Sequence, residues 1–583
     1  MKPGPILSYP DSRNPLLTED AMLRRTPVLL LLAFLTVACL VAAAYGVKAD
    51  EPAGRDTTPQ LGKDWRQLRD SMDAAYEALQ ADAGVKPNPI ADDSVFLRRV
   101  YLDLTGAPPS IAEINEFAPG RRDANGLKGQ EKREAIVDKL LASPEFAEHM
   151  ATWWRVVLAE RQGDGIYQTY LQRYLAEAFA ANRPWNQMAH EMLAATGKTP
   201  DNPALGFLLI FENDKPAMAG QVSKVFLGRQ IQCAECHDHP YEAWSMDDFE
   251  SYAAFFRLFS TGAKGDGADR YWFSNDQAIK NDVDVRNRLR LKGKYKLPRF
   301  LGDKDWQYDS GKTIRESLAD WITNPENPWF REMTVNRYLD YFMGVGFVNP
   351  VDDFNSMNEP ALPVVMEVMG KDFAASGFDI RYLIRAIVTS KMYQRAVDPN
   401  RTNRQDRVYY SRNFVRALTP EMVERSILKV TGIDRLNPHL PVPNVADDKL
   451  SADEKKAKQI RDWISGYKAS LRLLIRNAWG GDPVVKDVDD HDGNILQALM
   501  FMNADLLPGH LNNSLKEILA KYPHPKDKIK RATAIFMTVL GREPDTRDKQ
   551  ILNGTFANWK GGDEVYEDLF IALMNTTEFV NRH

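Results

Sequence analysis

Apolar residues recur at helical spacing along most of this 583-residue chain, and the rhythm breaks once, between about residues 261 and 309. A repeat near 3.6 residues buries one stripe of a helix and does not alternate across a sheet, so it predicts a mainly α fold. Before the break, helices are predicted over 65–80, 93–104, 132–141, 144–160, 167–181, 185–195, 217–231 and 246–258. After it they are predicted over 314–322, 329–342, 362–375, 380–389, 458–477, 495–506 and from 526 onward, with another opening at Thr419-Pro420-Glu421. Ser110, Ser143 and Ser245 stand at predicted N-caps, and Asp248 completes a capping box with Ser245. The break itself is rich in Gly, Asp, Lys and Arg, which reads as a linker or small β element. The length exceeds what one core supports, so the expected organisation is two helical domains, 65–260 and 311–583, joined by a β or irregular insert over 261–310.

Residues 27–47 carry no charge and are about long enough to cross a bilayer. Met22-Leu23-Arg24-Arg25 forms a basic stretch ahead of them, and Val47-Lys48-Ala49 offers small residues for cleavage. Residues 1–49 are therefore expected to be a signal peptide, with translation from Met22 and a mature start near Asp50, or a signal anchor if uncleaved. The chain is expected to be exported, periplasmic or at the cell surface, touching membrane only through that segment. Lysine and arginine total 75 against 80 acidic residues, interleaved for a net charge of −5, which is not a nucleic-acid footprint. The basic stretch 286–296 alternates with Val285, Leu289, Leu291 and Leu297 and reads as the solvated face of a strand pair.

Removing Cys39 with the signal leaves two cysteines, so no disulfide framework holds the fold. They stand in Cys233-Ala234-Glu235-Cys236-His237, the spacing of a covalently attached c-type haem: two thiols for thioether bonds and a histidine directly after the second to ligate iron. The competing readings are a reversible dithiol, or zinc or another metal held by both thiolates with His237 or His239, which would need Asp238 or Asp248 as a fourth ligand. Met246 is the candidate sixth iron ligand nearest in sequence, while Met218, His149 and His190 reach the motif only through folding. An acidic cluster, Asp487, Asp489, Asp490, His491 and Asp492, lacks the glycine position and closing glutamate of a calcium loop and reads as an exposed turn. Twelve tryptophans, among them Trp153, Trp154, Trp185, Trp244, Trp321 and Trp329, fall at or beside predicted helices and read as core rather than as a sugar groove. No nucleophile elbow, phosphate-binding glycine loop or zinc-protease helix is present, so no enzyme reaction is assigned.

Two strings in the first half, residues 95–106 (VFLRRVYLDLTG) and 226–240 (FLGRQIQCAECHDHP), stand with three in the second: 327–330 (NPWF), 335–337 (VNR) and 350–354 (PVDDF). In these the chain resembles the secreted planctomycete-type cytochrome-c-like proteins that join two domains of unknown function. The resemblance implies a helical first domain carrying the haem-type motif, a helical second domain, export, and no established activity. It extends past the haem-type residues through Asp238, His239 and Pro240, which implies a separate role for His239. Electron transfer or a redox step with a redox or surface protein partner is the expected function. The alternative is a non-catalytic exported binding or assembly protein with a structural metal or dithiol at the same cluster.

Overall fold

The computed structural model describes residues 61–117, 128–159, 166–240, 242–265, 270–274, 296–302, 304–307, 309, 311–433, 450–479, 512–524 and 526–583. The signal segment, most of the basic stretch, the acidic turn over 487–493 and the expected helix over 495–506 lie outside them. The fold is mainly α. Among the described residues the strands form three short antiparallel ribbons: Thr261–Lys264 with Tyr271–Ser274, Arg299–Phe300 with Lys304–Asp305, and Arg416–Ala417 with Asn581–Arg582. Among the described residues no helix is long and apolar enough to cross a membrane.

Local chemistry explains the helix starts. Ser110 with Glu113, and Ser245 with Asp248, form capping boxes that satisfy orphan N–H groups at the starts of Ile111–Glu116 and Met246–Ala253. Thr419 accepts the Met422 N–H at 3.3 Å to open Pro420–Thr431, where Pro420 has no N–H to leave unpaired. The expected helix over 217–231 is broken. Lys215–Val222 passes into a π-turn, Ser223–Leu227, that ends at Gly228 with φ +66°. A side chain on Gly228 would begin 2.6 Å from the Phe354 ring, so a contact more than a hundred residues away ends the helix there. The expected run from 526 onward is likewise divided into Lys528–Leu540, Thr546–Phe556, Glu564–Met574 and Thr577–Val580.

Among the described residues, apolar packing collects in two clusters. The larger takes residues from Leu68 to Phe414 together with Met537, so helices on both sides of 261–310 share one interior. Trp154 and Trp185 lie at its centre with ring centroids 4.0 Å apart. Trp154 donates to the Tyr338 hydroxyl at 2.9 Å and Trp185 to Thr334 Oγ1 at 3.1 Å, so both indoles satisfy their N–H on the helix Pro328–Met343. Trp153, Trp244, Trp321 and Trp329 are half-buried against the same cluster. The smaller cluster runs from Leu418 to Phe579 and takes in Leu102.

The helix Asp93–Thr105 thus belongs to both interiors, and its polar residues bind the end of the chain. Arg98 donates to the carbonyl oxygens of Leu540, Glu578 and Asn581, and Arg99 to those of Arg395 and His583. Asp103 accepts from the Tyr393 hydroxyl at 2.7 Å and pairs with Arg582 at 3.3 Å. The string 95–106 is therefore a structural seam.

Candidate functional site

The cysteine motif lies on a surface loop between the π-turn and the helix Met246–Ala253. A single turn of 3₁₀ helix, Gln232–Glu235, carries Cys233; buried Ile231 and Ala234 anchor it from beneath, while both thiols are free and exposed. His237, also exposed, has Nδ1 at 2.7 Å from the Asp238 carbonyl oxygen. A carbonyl only accepts, so Nδ1 carries the proton and Nε2 presents its lone pair, the tautomer that metal-ligating histidines adopt.

His239 is in the opposite state. Its Nδ1 accepts the Glu242 N–H at 3.0 Å, which puts the proton of the neutral ring on Nε2, and its backbone N–H donates to the Trp244 carbonyl at 2.8 Å. His239 therefore closes the loop on itself, and as a ligand it would have to give up the Nε2 proton. Asp238 Oδ1 accepts the Met246 N–H at 2.8 Å, capping the following helix from within the motif. These contacts account for the residues after His237 that haem attachment does not require.

The second half of the chain completes the site. Gly228 accepts the Phe354 N–H at 2.9 Å, Arg229 donates to the Phe354 carbonyl at 2.6 Å, and Gln230 donates to Asp352 at 3.3 Å. Asp352 in turn pairs with buried Arg337 at 3.3 Å. The Arg229 guanidinium lies over the Trp329 ring at 4.7 Å, and Trp244 meets Trp329 edge-on. Glu242 Oε1 accepts both the N–H and the hydroxyl of Ser356, at 2.8 and 2.5 Å, and the Ser356 hydroxyl holds the Glu242 carboxyl below the usual range. The strings 226–240 and 350–354 are two sides of one structure. Each was legible as a string, but Glu242 and Ser356 carry no local signal that would have singled them out.

Among the described residues no three His, Cys, Asp or Glu side chains converge where a metal ion could sit. A chelated ion needs convergent donors, whereas haem needs two thiols spread to two vinyl groups and one imidazole lone pair. Cys233, Cys236 and His237 are the residue types of the second set, all three exposed on the loop. Of the sixth-ligand candidates, Met246 is 41% exposed at the start of its helix, Met218 is fully buried in the main core, His190 pairs with Asp320 at 2.9 Å, and His149 meets the Tyr341 hydroxyl at 2.7 Å. A separate cleft of about 1370 Å³ is lined by His149, Arg155, Glu424, Arg425 and Arg472, and by none of the motif residues.

Residues 71–261 match a family described as a protein of unknown function, DUF1549, and residues 314–556 match a second, DUF1553. The interval between the matches coincides with the break in helical periodicity. No curated protein and no solved structure matches the chain. The chain accordingly carries two domains of unknown function, DUF1549 followed by DUF1553, with the cysteine motif in the first and the loop docked against it in the second.

Proposed function

We propose that this chain is an exported c-type haem protein serving electron transfer or a redox step, with haem attached at Cys233 and Cys236 and ligated by His237. The observation that supports it most is the state of His237: the Asp238 carbonyl engages Nδ1 at 2.7 Å and leaves the Nε2 lone pair available for iron. Two free, exposed thiols three residues apart suit thioether formation. Haem, when bound, supplies one-electron chemistry. The chain's own residues orient the imidazole through Asp238, fix the loop through His239 and Glu242, and leave the attachment edge open to a redox or surface protein partner. The basic stretch and apolar run of residues 1–49 favour export to the compartment where such attachment occurs.

The test is a pyridine haemochrome spectrum with intact mass, on protein exported by cells competent for cytochrome c maturation. A haem-sized mass increase, lost in the Cys233→Ala, Cys236→Ala double variant, is the expected result. The second reading, an exported binding or assembly protein with a dithiol or structural metal at the same loop, is favoured by the exposure of both thiols. Absence of haem together with a reversible disulfide or one bound metal equivalent would establish it and end the electron-transfer reading.

A further inference from the structure

We propose that Cys233 and Cys236 act as a redox dithiol that reduces a disulfide lying in a basic surface of a partner protein. The inference rests on the dithiol reading above, since haem attachment consumes both sulfurs, and it adds the substrate and the direction of electron flow.

The turn that carries the cysteines sets their geometry. Cys233 lies within the 3₁₀ turn Gln232–Glu235 and Cys236 follows it directly, so both intervening residues, Ala234 and Glu235, have 3₁₀ conformation. A 3₁₀ helix has three residues per turn and rises about 2.0 Å per residue, which stacks residues three apart one above the other at about 6 Å. Disulfides most often span about 5.5–6 Å between Cα atoms, so this pair closes without rearranging the backbone. The turn is also seated firmly. Ile231 and Ala234 are buried beneath it, the Ala234 N–H donates to the Ile231 carbonyl at 2.9 Å, and a side chain on Gly220 would begin 2.5 Å from Gln232 Cγ. A backbone already set for the bridge favours the oxidised form, which makes the dithiol the electron donor.

The surroundings select the partner. Both thiols are free and exposed, so a disulfide on the surface of another protein can reach them. From residue 230 to residue 256 the sequence carries six Asp or Glu and no Lys or Arg. Asp247 and Asp248 are taken up by Arg299 at 3.0 and 2.6 Å, and Glu242 by Ser356, whereas Glu235 and Asp238 are exposed on either side of Cys236 in sequence. Arg229, the nearest cation before them, is turned to the Phe354 carbonyl and the Trp329 ring. An acidic rim of this kind repels an anionic disulfide and attracts one flanked by Lys or Arg.

The exchange balances within the two proteins. One thiolate attacks a sulfur of the partner's disulfide, breaking that bond and forming a mixed disulfide. The second thiolate attacks the chain's own sulfur in the mixed bridge, closing Cys233 to Cys236 and releasing the partner's second thiolate. Two electrons pass to the partner, and the protons of the two thiols end on its two sulfurs.

The experiment uses the exported full-length chain, reduced and freed of reductant, with synthetic peptides that each hold one disulfide flanked either by lysines or by glutamates. Intact mass is expected to show the chain losing two hydrogens as one peptide disulfide is reduced. The lysine peptide should react about tenfold faster at low salt, an advantage that shrinks with added salt and in Glu235→Lys. Cys233→Ser and Cys236→Ser should abolish release of reduced peptide, one of them trapping the mixed disulfide. Far-ultraviolet circular dichroism should be the same for both variants and both redox forms. A chain that forms its own disulfide yet reduces neither peptide, or reduces both at one rate, would overturn the proposal and leave the dithiol reading standing. Covalent haem or a bound metal on the two sulfurs would overturn both.

Discussion

His149 lies 4% exposed on the helix Pro144–Ala159, and its ring opens a short relay. Tyr341 donates its hydroxyl proton to the Asp103 carbonyl at 2.9 Å, so the bond of 2.7 Å from His149 must be an Nε2–H donated to the Tyr341 oxygen. Burial, with the Arg425 charge nearby, pulls the imidazole down to about 3 and holds it neutral. An unfolded histidine takes up a proton near its ordinary value of 6.5, which the native His149 refuses until about 3. The stability it confers is therefore complete above pH 6.5 and is lost as pH falls toward 3. In His149→Gln the melting temperature is expected to fall less steeply than in wild type between pH 7 and about 4, as followed by circular dichroism. Parallel slopes would mean that the native ring is not held neutral. Asp73 has the opposite sign. Burial raises its carboxyl to about 7 although Lys391 donates its backbone N–H at 2.8 Å, so its contribution is largest below the ordinary carboxyl value of 3.8 and declines as pH rises toward 7. The melting temperature of Asp73→Asn relative to wild type should accordingly improve as pH is raised from about 4 to about 8, and a gap that is constant with pH would show that Asp73 is ionised throughout.

The loop after His237 and the turn around Ser356 form a unit whose rigidity depends on Glu242. One carboxylate oxygen accepts two donors there, and a bond to a charged acceptor contributes about 1.5–3 kcal/mol where it is shielded and less at this half-exposed position. Glu242→Ala is expected to leave the melting temperature nearly unchanged while amide hydrogen exchange over residues 353–358 and 242–246 accelerates by about fivefold, the equivalent of roughly 1 kcal/mol of local opening. Unchanged exchange would mean that the two loops are held by Gly228, Arg229 and Gln230 alone. How much of this unit could be read in the sequence follows from the range of the forces involved. The capping box at Ser245 and Asp248, the proline-led helix at Thr419 and the haem-type spacing at Cys233 are local patterns, and each was legible. The break at Gly228 was not, because what requires the glycine is the ring of Phe354. The different tasks of His237 and His239 were not legible either, since each depends on which nitrogen its neighbours engage.

At the scale of the molecule, periodicity finds helices but does not say which helices share an interior. The break over 261–310 separates two family matches, yet the core that runs from Leu68 to Phe414 and takes in Met537 crosses it, and the second core draws Leu102 from the first domain. Arg98 is the hinge of this arrangement: buried, it donates to four carbonyl oxygens, three of them from the last six residues. Burial lowers its guanidinium only to about 10, so it is charged at neutral pH, and removing it leaves buried acceptors unpaired at about 1–3 kcal/mol each. Arg98→Ala should therefore destabilise the whole chain by several kcal/mol and expose its C-terminal end to carboxypeptidase, measured by thermal melting and by intact mass after digestion. The decisive comparison is with deletion of residues 578–583. If Arg98 acts by gripping that segment, the double variant loses little more than the worse single one, because both changes abolish the same contacts. Additive losses would assign Arg98 a role apart from that segment, through the Leu540 carbonyl.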